Sequence, residues 1–213
     1  SCKLPDTQTC LVEKINNSCV RIKTADMYAC FMYAKTTADR IEDDGVVNLD
    51  YIPISTALRF TLKAAENGSV TVQNIRLVAP VAIAGEFSVD LTNIGEDNMP
   101  KVDLGANTSN SITVFARYEN QDYRQLSNEQ SITLNAFIIP QKDLTITKDW
   151  YLLINLSDGR TFKKTLESTK ATQDQGANKL IAGQIHTLPT LPAFTSATFN
   201  PENWMKNIPR NVY

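Results

Sequence analysis

A chain of 213 residues is long enough for one large domain or two small ones, each with a real core. Charged residues make up 21% and the formal net charge is −2, so no electrostatic field recruits nucleic acid. No apolar run approaches the roughly 20 residues a membrane helix needs, and the start at Ser1 without a Met points to a removed leader or a longer N-terminus.

All four cysteines, Cys2, Cys10, Cys19 and Cys30, fall in the first thirty residues. Their spacings of eight, nine and eleven contain no CxxC pair, which disfavours a zinc site. One or two disulfides stapling a segment too short to bury its own core is the plainer reading, with three full pairings open. A third reading takes Cys2 as a lipidated cysteine ahead of a polar stretch. The disulfide and lipid readings both place the chain in an oxidising, exported location.

In residues 1–27, Val12, Ile15, Val20 and Ile22 are candidate strand residues. The run from Asp26 to Tyr33 reads as a short core strand. Residues 36–45 (TTADRIEDDG) form a polar loop. Its Glu42-Asp43-Asp44-Gly45 invites a calcium reading, but alignment on Gly45 puts Arg40 and Tyr51 at the first and twelfth ligand positions of an EF-hand, so a solvated loop is preferred.

The stretch 46–90 organises the chain. Leu58, Phe60, Leu62 and Ala64 alternate with Arg59, Thr61 and Lys63, the period of a half-buried strand. Asn67-Gly68 supplies a turn. Val70 and Val72 then give way to Ile75 and Leu77, so the parity slips near Gln73-Asn74 and a β-bulge is expected there. Gly85 opens a further run with Phe87, Val89 and Leu91 on one face. Residues 92–110, rich in Gly, Asn, Asp and Pro without apolar period, read as an inter-domain linker; a long loop inside one domain competes.

Ile112, Val114, Ala116 and Tyr118 alternate in the next strand. In residues 130–140, Ile132, Leu134, Ala136 and Ile138 alternate while Phe137 and Ile139 fill the other face, so this strand is expected to be central and covered on both sides, ended by Pro140. Residues 150–166 form the clearest hairpin. A three-residue loop Ser157-Asp158-Gly159, with Gly159 left-handed, puts Leu152, Ile154 and Leu156 on the face of Phe162 and Leu166. Residues 167–178 are loop-like, residues 179–188 close the sheet, and Pro189 and Pro192 stop it. In the tail, Trp204, Met205 and Ile208 have the spacing of one helical turn.

Chemistry is scarce. The single His186 excludes a multi-histidine metal site, and a Ser-His-Asp triad would have to use it. No G-x-S-x-G, H-E-x-x-H, Walker loop or dinucleotide fingerprint is present, so His186 reads as a structural strand residue. No pair of carboxylates stands out for glycoside cleavage. Tyr118, Tyr123, Trp150, Tyr151 and Trp204 are candidates for a sugar-binding platform, although core burial explains most of them more simply. The chain is expected to be non-enzymatic, with no catalytic residue, cofactor or metal. The expected fold is all-β, mainly antiparallel: a sandwich over residues 1–95 with the Cys-rich start, a second over 96–195, and a tail over 196–213.

The order of "FMYA" at Phe31–Ala34, then "ALRFTLKA", "VQNIRLVAP" and "GEFSVD" resembles the fimbrillin-like proteins of Bacteroidetes, surface lipoproteins related to type V pilus subunits. The later "GANKLIAGQIHTL" resembles that family's final strand, with His186 where the family usually has Tyr. The resemblance spans residues 28–190. It implies two transthyretin-like sandwiches and a structural or adhesive role as a fimbrial subunit or tip-like adhesin. The implied location is the cell surface, outer membrane or fimbrium, with membrane contact only through a lipid anchor. The implied partners are other pilus subunits or host and bacterial surface ligands, joined by strand exchange. A carbohydrate- or protein-binding surface lipoprotein is the alternative. "NPENWMKNIPRNVY" also resembles the lead-in to secreted phospholipase-C-type barrels, which implies an accessory β domain of a longer hydrolase.

Overall fold

The computed structural model describes residues 1–14, 19–36, 46–63, 69–117, 124–127, 131–142, 144–166 and 179–188. Period-2 patterns become strands almost throughout. In chain order they are β1 (Cys2–Leu4), β2 (Thr7–Lys14), β3 (Cys19–Thr24), β4 (Met32–Lys35), β5 (Asp50–Pro53), β6 (Thr56–Lys63), β7 (Ser69–Val78) and β8 (Ala84–Ile94). There follow β9 (Pro100–Ser109), β10 (Ser111–Arg117), β11 (Arg124–Ser127), β12 (Ser131–Ile138), β13 (Tyr151–Leu156), β14 (Thr161–Thr165) and β15 (Ile185–Thr187). The chain is all-β and mainly antiparallel, with a sandwich-like arrangement; β2–β10, β3–β12 and β6–β15 are the parallel pairs among the described residues.

The largest sheet runs β14-β13-β7-β10-β2-β3-β12-β6-β15, with β11 also on β7. A second sheet is β1-β8-β9, and β4 pairs with β5. Leu58, Phe60 and Leu62 of β6, Ile75 and Leu77 of β7, and Ile132, Leu134, Ala136 and Ile138 of β12 all lie in one buried cluster. β12 is central, between β3 and β6, and Phe137 and Ile139 are buried on its other face. The parity slip in β7 is a bulge: Asn155 faces Asn74 and Leu156 faces Val72, leaving Gln73 as the extra residue. The bulge keeps Val72, Ile75 and Leu77 all buried.

β2 lies mostly against β10, yet its inward side chains reach β12. The Gln8 carboxamide donates from Nε2 to the Phe137 carbonyl at 2.8 Å and accepts from the Phe137 amide at 2.8 Å. Cys10 Sγ donates to the Asn135 carbonyl at 3.3 Å. β3 pairs with β12 only at Ser131 and Ile132, so these side chains continue the ladder where β3 leaves it.

The hairpin at residues 150–166 has the expected loop. Leu156 N donates to Arg160 O, Gly159 N donates to Leu156 O, and Gly159 has φ +87°. Asp158 stabilises it by accepting from the Arg160 backbone N–H and Nε. Leu152, Ile154, Leu156, Phe162 and Leu166 are all buried.

Two expectations need correction. Residues 92–110 are not a linker, because 100–109 form β9, which pairs with β8. The expected boundary between residues 95 and 96 therefore falls inside a hairpin, and strands from both sides of it interleave in the largest sheet. Pro100, Val102 and Leu104 alternate on one face of β9, but the rest of the stretch is polar or turn-forming and mostly exposed. Asp26 to Tyr33 is also not one buried strand. Asp26 caps a 3-10 turn at Met27–Ala29, accepting from the amides of Tyr28 and Thr9. Tyr28 is left 92% exposed, while Ala29 and Tyr33 are buried. Leu91 lies on the face of Phe87 and Val89 as expected, and it is exposed because β8 runs past the core. Ile15, Ala64, the Asn67-Gly68 turn, the 37–45 loop, Tyr118, Tyr123 and residues 167–178 and 189–213 lie outside the described residues.

Two glycines with positive φ separate backbone strain from crowding. A Cβ on Gly85 (φ +107°) would sit 2.3 Å from the Asn107 carbonyl oxygen of β9, whereas one on Gly159 meets nothing within 4 Å. Gly159→Ala should therefore cost about 1 kcal/mol, and Gly85→Ala about 2 kcal/mol or more, since β9 must also move. Urea unfolding of both variants checks this; equal losses would contradict it.

Candidate functional site

The candidate site is a surface, formed where β4–β5 and the β8–β9 hairpin leave the core. Short bonds set the β4–β5 pair in place. Phe31 N donates to Ser55 Oγ at 2.8 Å, Ser55 Oγ donates to Ala29 O at 2.9 Å, and Ile54 N donates to Phe31 O at 2.9 Å. The Phe31 ring meets Phe87 edge-on at 5.2 Å, joining this pair to β8.

The register Met32↔Pro53 and Ala34↔Tyr51 puts these four residues on one face. Opposite them, Tyr33 turns inward and donates its hydroxyl to Asn98 O, and Lys35 Nζ donates to Asn98 Oδ1 at 2.7 Å. The outer face keeps Met32 51% and Tyr51 67% exposed. Met27 and Tyr28, just upstream, are exposed too. Along the hairpin, Phe87, Val89, Leu91, Val102 and Leu104 share a face. Phe87 is buried, Val89 and Val102 are half-buried, and Leu91 and Leu104 are exposed. The arm thus carries an apolar stripe from the core into solvent, the signature of a surface that meets another molecule. Sequence alternation marks both faces of these strands, but it does not say which face the rest of the chain leaves bare.

The expected site residues do not converge. Cys2, opposite Phe87 on β1, and Cys30, next to Phe31, border the same aromatic pair as half-buried thiols. Cys10 is a buried thiol against β12, and the side chain of Cys19 lies outside the described residues. Burial pushes the Cys10 thiol up to about 11, with the charge of Asp26 adding to it; burial also raises Cys30. His186 Nε2 accepts from the Ile181 amide at 2.8 Å, a structural bond within the closing segment. Trp150 is fully buried, and Tyr151 has Lys163 Nζ 4.0 Å over its ring, so neither offers a free aromatic face. Trp204 lies outside the described residues. Among the described residues no group of His, Cys, Asp or Glu is placed to hold a metal ion, and no helix is long and apolar enough to cross a membrane.

No protein-family model matches the chain, and no curated protein matches it. Among solved structures, it is similar to a protein of Bacteroides uniformis provisionally named a cell adhesion protein, at TM-score 0.40 and 12% identity, covering 71% of this chain and 49% of that one. It is likewise similar to a provisionally named cell adhesion protein of Bacteroides ovatus, at TM-score 0.40 and 15% identity, covering 73% of this chain and 54% of that one. The chain spans about half the length of these two proteins, and a likeness at this TM-score carries no functional argument.

The thiols give a sharp check. With its pKa near 11, Cys10 is about one part in a thousand thiolate at pH 8. It should resist iodoacetamide at pH 8 in the folded chain and react at the rate of a free thiol once unfolded, as peptide mapping would show. Rapid labelling of native Cys10 would contradict its placement against β12.

Proposed function

We propose that this chain is a non-enzymatic cell-surface protein of structural or adhesive role, a fimbrillin-like subunit or tip-like adhesin. The observation that carries the reading is the exposed apolar face of β4–β5, with Met32 and Tyr51, beside the apolar stripe on the β8–β9 arm. A soluble monomer gains nothing from keeping such side chains in water, whereas a surface that docks on another molecule does. The motifs of residues 28–190 support the same reading by their resemblance to fimbrillin-like proteins. Display at the outer membrane through a lipidated Cys2 belongs to this proposal.

Assembly by strand exchange is the finer form of it. β9 lies at a sheet edge, so it has one row of backbone donors and acceptors with no strand partner among the described residues. An extended strand from a neighbouring subunit would pair along such an edge, with backbone bonds giving affinity and alternate side chains giving register.

Cells of a non-adhesive strain displaying the chain should be retained on an immobilised bacterial or host surface glycoprotein several-fold above empty cells. Met32→Glu combined with Tyr51→Glu should bring retention to background. Because both side chains are exposed, the thermal midpoint should stay within about 2 °C. No retention above empty cells would sink the adhesive reading, and retention that survives the double substitution would remove the β4–β5 face from it.

A further inference from the structure

We propose that a cleft under the tip of the β8–β9 arm binds an amphipathic carboxylate, a small molecule with an aliphatic body and one acid group. The cleft encloses ≈ 510 Å³ between the arm's turn and the segments 140–142 and 179–182, within the range of small-molecule sites.

Both walls are fixed before any ligand arrives. In the turn, Gly95 N donates to Met99 O at 2.9 Å and Asn98 adopts φ +59°, while Asn98 is tied to β4 through Tyr33 and Lys35. On the other wall, Gln141 Nε2 donates to Ala82 O at 2.6 Å and Leu180 N donates to Leu144 O at 2.7 Å. Gly183 (φ +74°) passes close to Pro53, where a Cβ would lie 2.4 Å from the Pro53 carbonyl oxygen. A preformed cleft loses little conformational freedom on binding.

The lining selects the ligand. Pro100, Val102, Pro140 and Leu180 give an aliphatic floor. Among the described residues none that lines the cleft is aromatic, so these walls offer no ring on which a sugar or a base would stack. Among the described lining residues the charges are three lysines, Lys101, Lys142 and Lys179, against one carboxylate, Asp97, in a chain whose net charge is −2. Lys101 already shares Asp103 at 2.9 Å, and Asp97 accepts from the Met99 amide. Lys142 is exposed and makes no ion pair among the described residues. One surplus ammonium above an aliphatic floor complements one acid group on an aliphatic chain. This site is independent of the adhesive reading.

The test is calorimetric titration of the full chain with octanoate and with octanamide, its neutral isostere. Octanoate should bind at one per chain and octanamide about five-fold more weakly, the loss expected for one exposed ion pair. Lys142→Glu turns attraction into repulsion and should weaken octanoate about ten-fold with an unchanged thermal midpoint. Lys3→Glu, on β1 away from the cleft, should leave binding as it is. Absence of octanoate binding, equal binding of octanamide, or indifference to Lys142→Glu would each overturn the proposal.

Discussion

The architecture depends on one side chain standing in for a strand. β12 needs partners on both edges because it runs through the core, and β6 supplies one edge over its whole length. The other edge is paired by β3 only at Ser131 and Ile132. Beyond that point the Gln8 carboxamide, fully buried, offers Phe137 one donor and one acceptor, as a neighbouring peptide group would. A buried backbone N–H or C=O left without a partner costs about 1–3 kcal/mol, so this pair of bonds decides whether β12 can be central at all. The same contact lets β2 join two parts of the sheet, through its backbone to β10 and through its side chains to β12.

The functional surfaces follow from how that core ends. The central strands of the interleaved path are covered, whereas β4, β5 and the outer half of β8 extend beyond the core. Phe87 is the hinge point of this arrangement. It is buried under Phe31 with the exposed Leu104 opposite it on β9, and along β8 the stripe runs outward through Val89 to the exposed Leu91. Tyr33 and Lys35 then pin the arm's turn through Asn98, leaving Met32 and Tyr51 facing solvent and opening the cleft on the other side of the turn.

Where side-chain period alone decides structure, the sequence was readable. The bulge at Gln73 and the left-handed Gly159 both follow from keeping apolar residues on one face, and no partner strand had to be known. Gln8 was not readable, because a polar residue at an inward position looks like a break in pattern. Only its alternation with Cys10 and Val12 hinted that β2 faces inward there. Residues 100–109 misled in the opposite way: Pro100, Val102 and Leu104 do alternate, but the turn-forming residues around them hid the strand. The lysines of the cleft come from segments about forty residues apart and share no local signature. The bareness of Met32 and Tyr51 depends on what the rest of the chain fails to cover, which is a property of the whole fold.

Native-state hydrogen exchange at the Phe137 amide, compared between the natural chain and Gln8→Leu, tests the central interaction most directly. Leucine keeps much of the buried volume and removes both bonds. The account predicts that protection of this amide falls about a hundred-fold, in line with two backbone groups losing their partners, with global stability lowered as well. Unchanged protection of Phe137 in Gln8→Leu would show that β12 is held without Gln8 and would contradict the account.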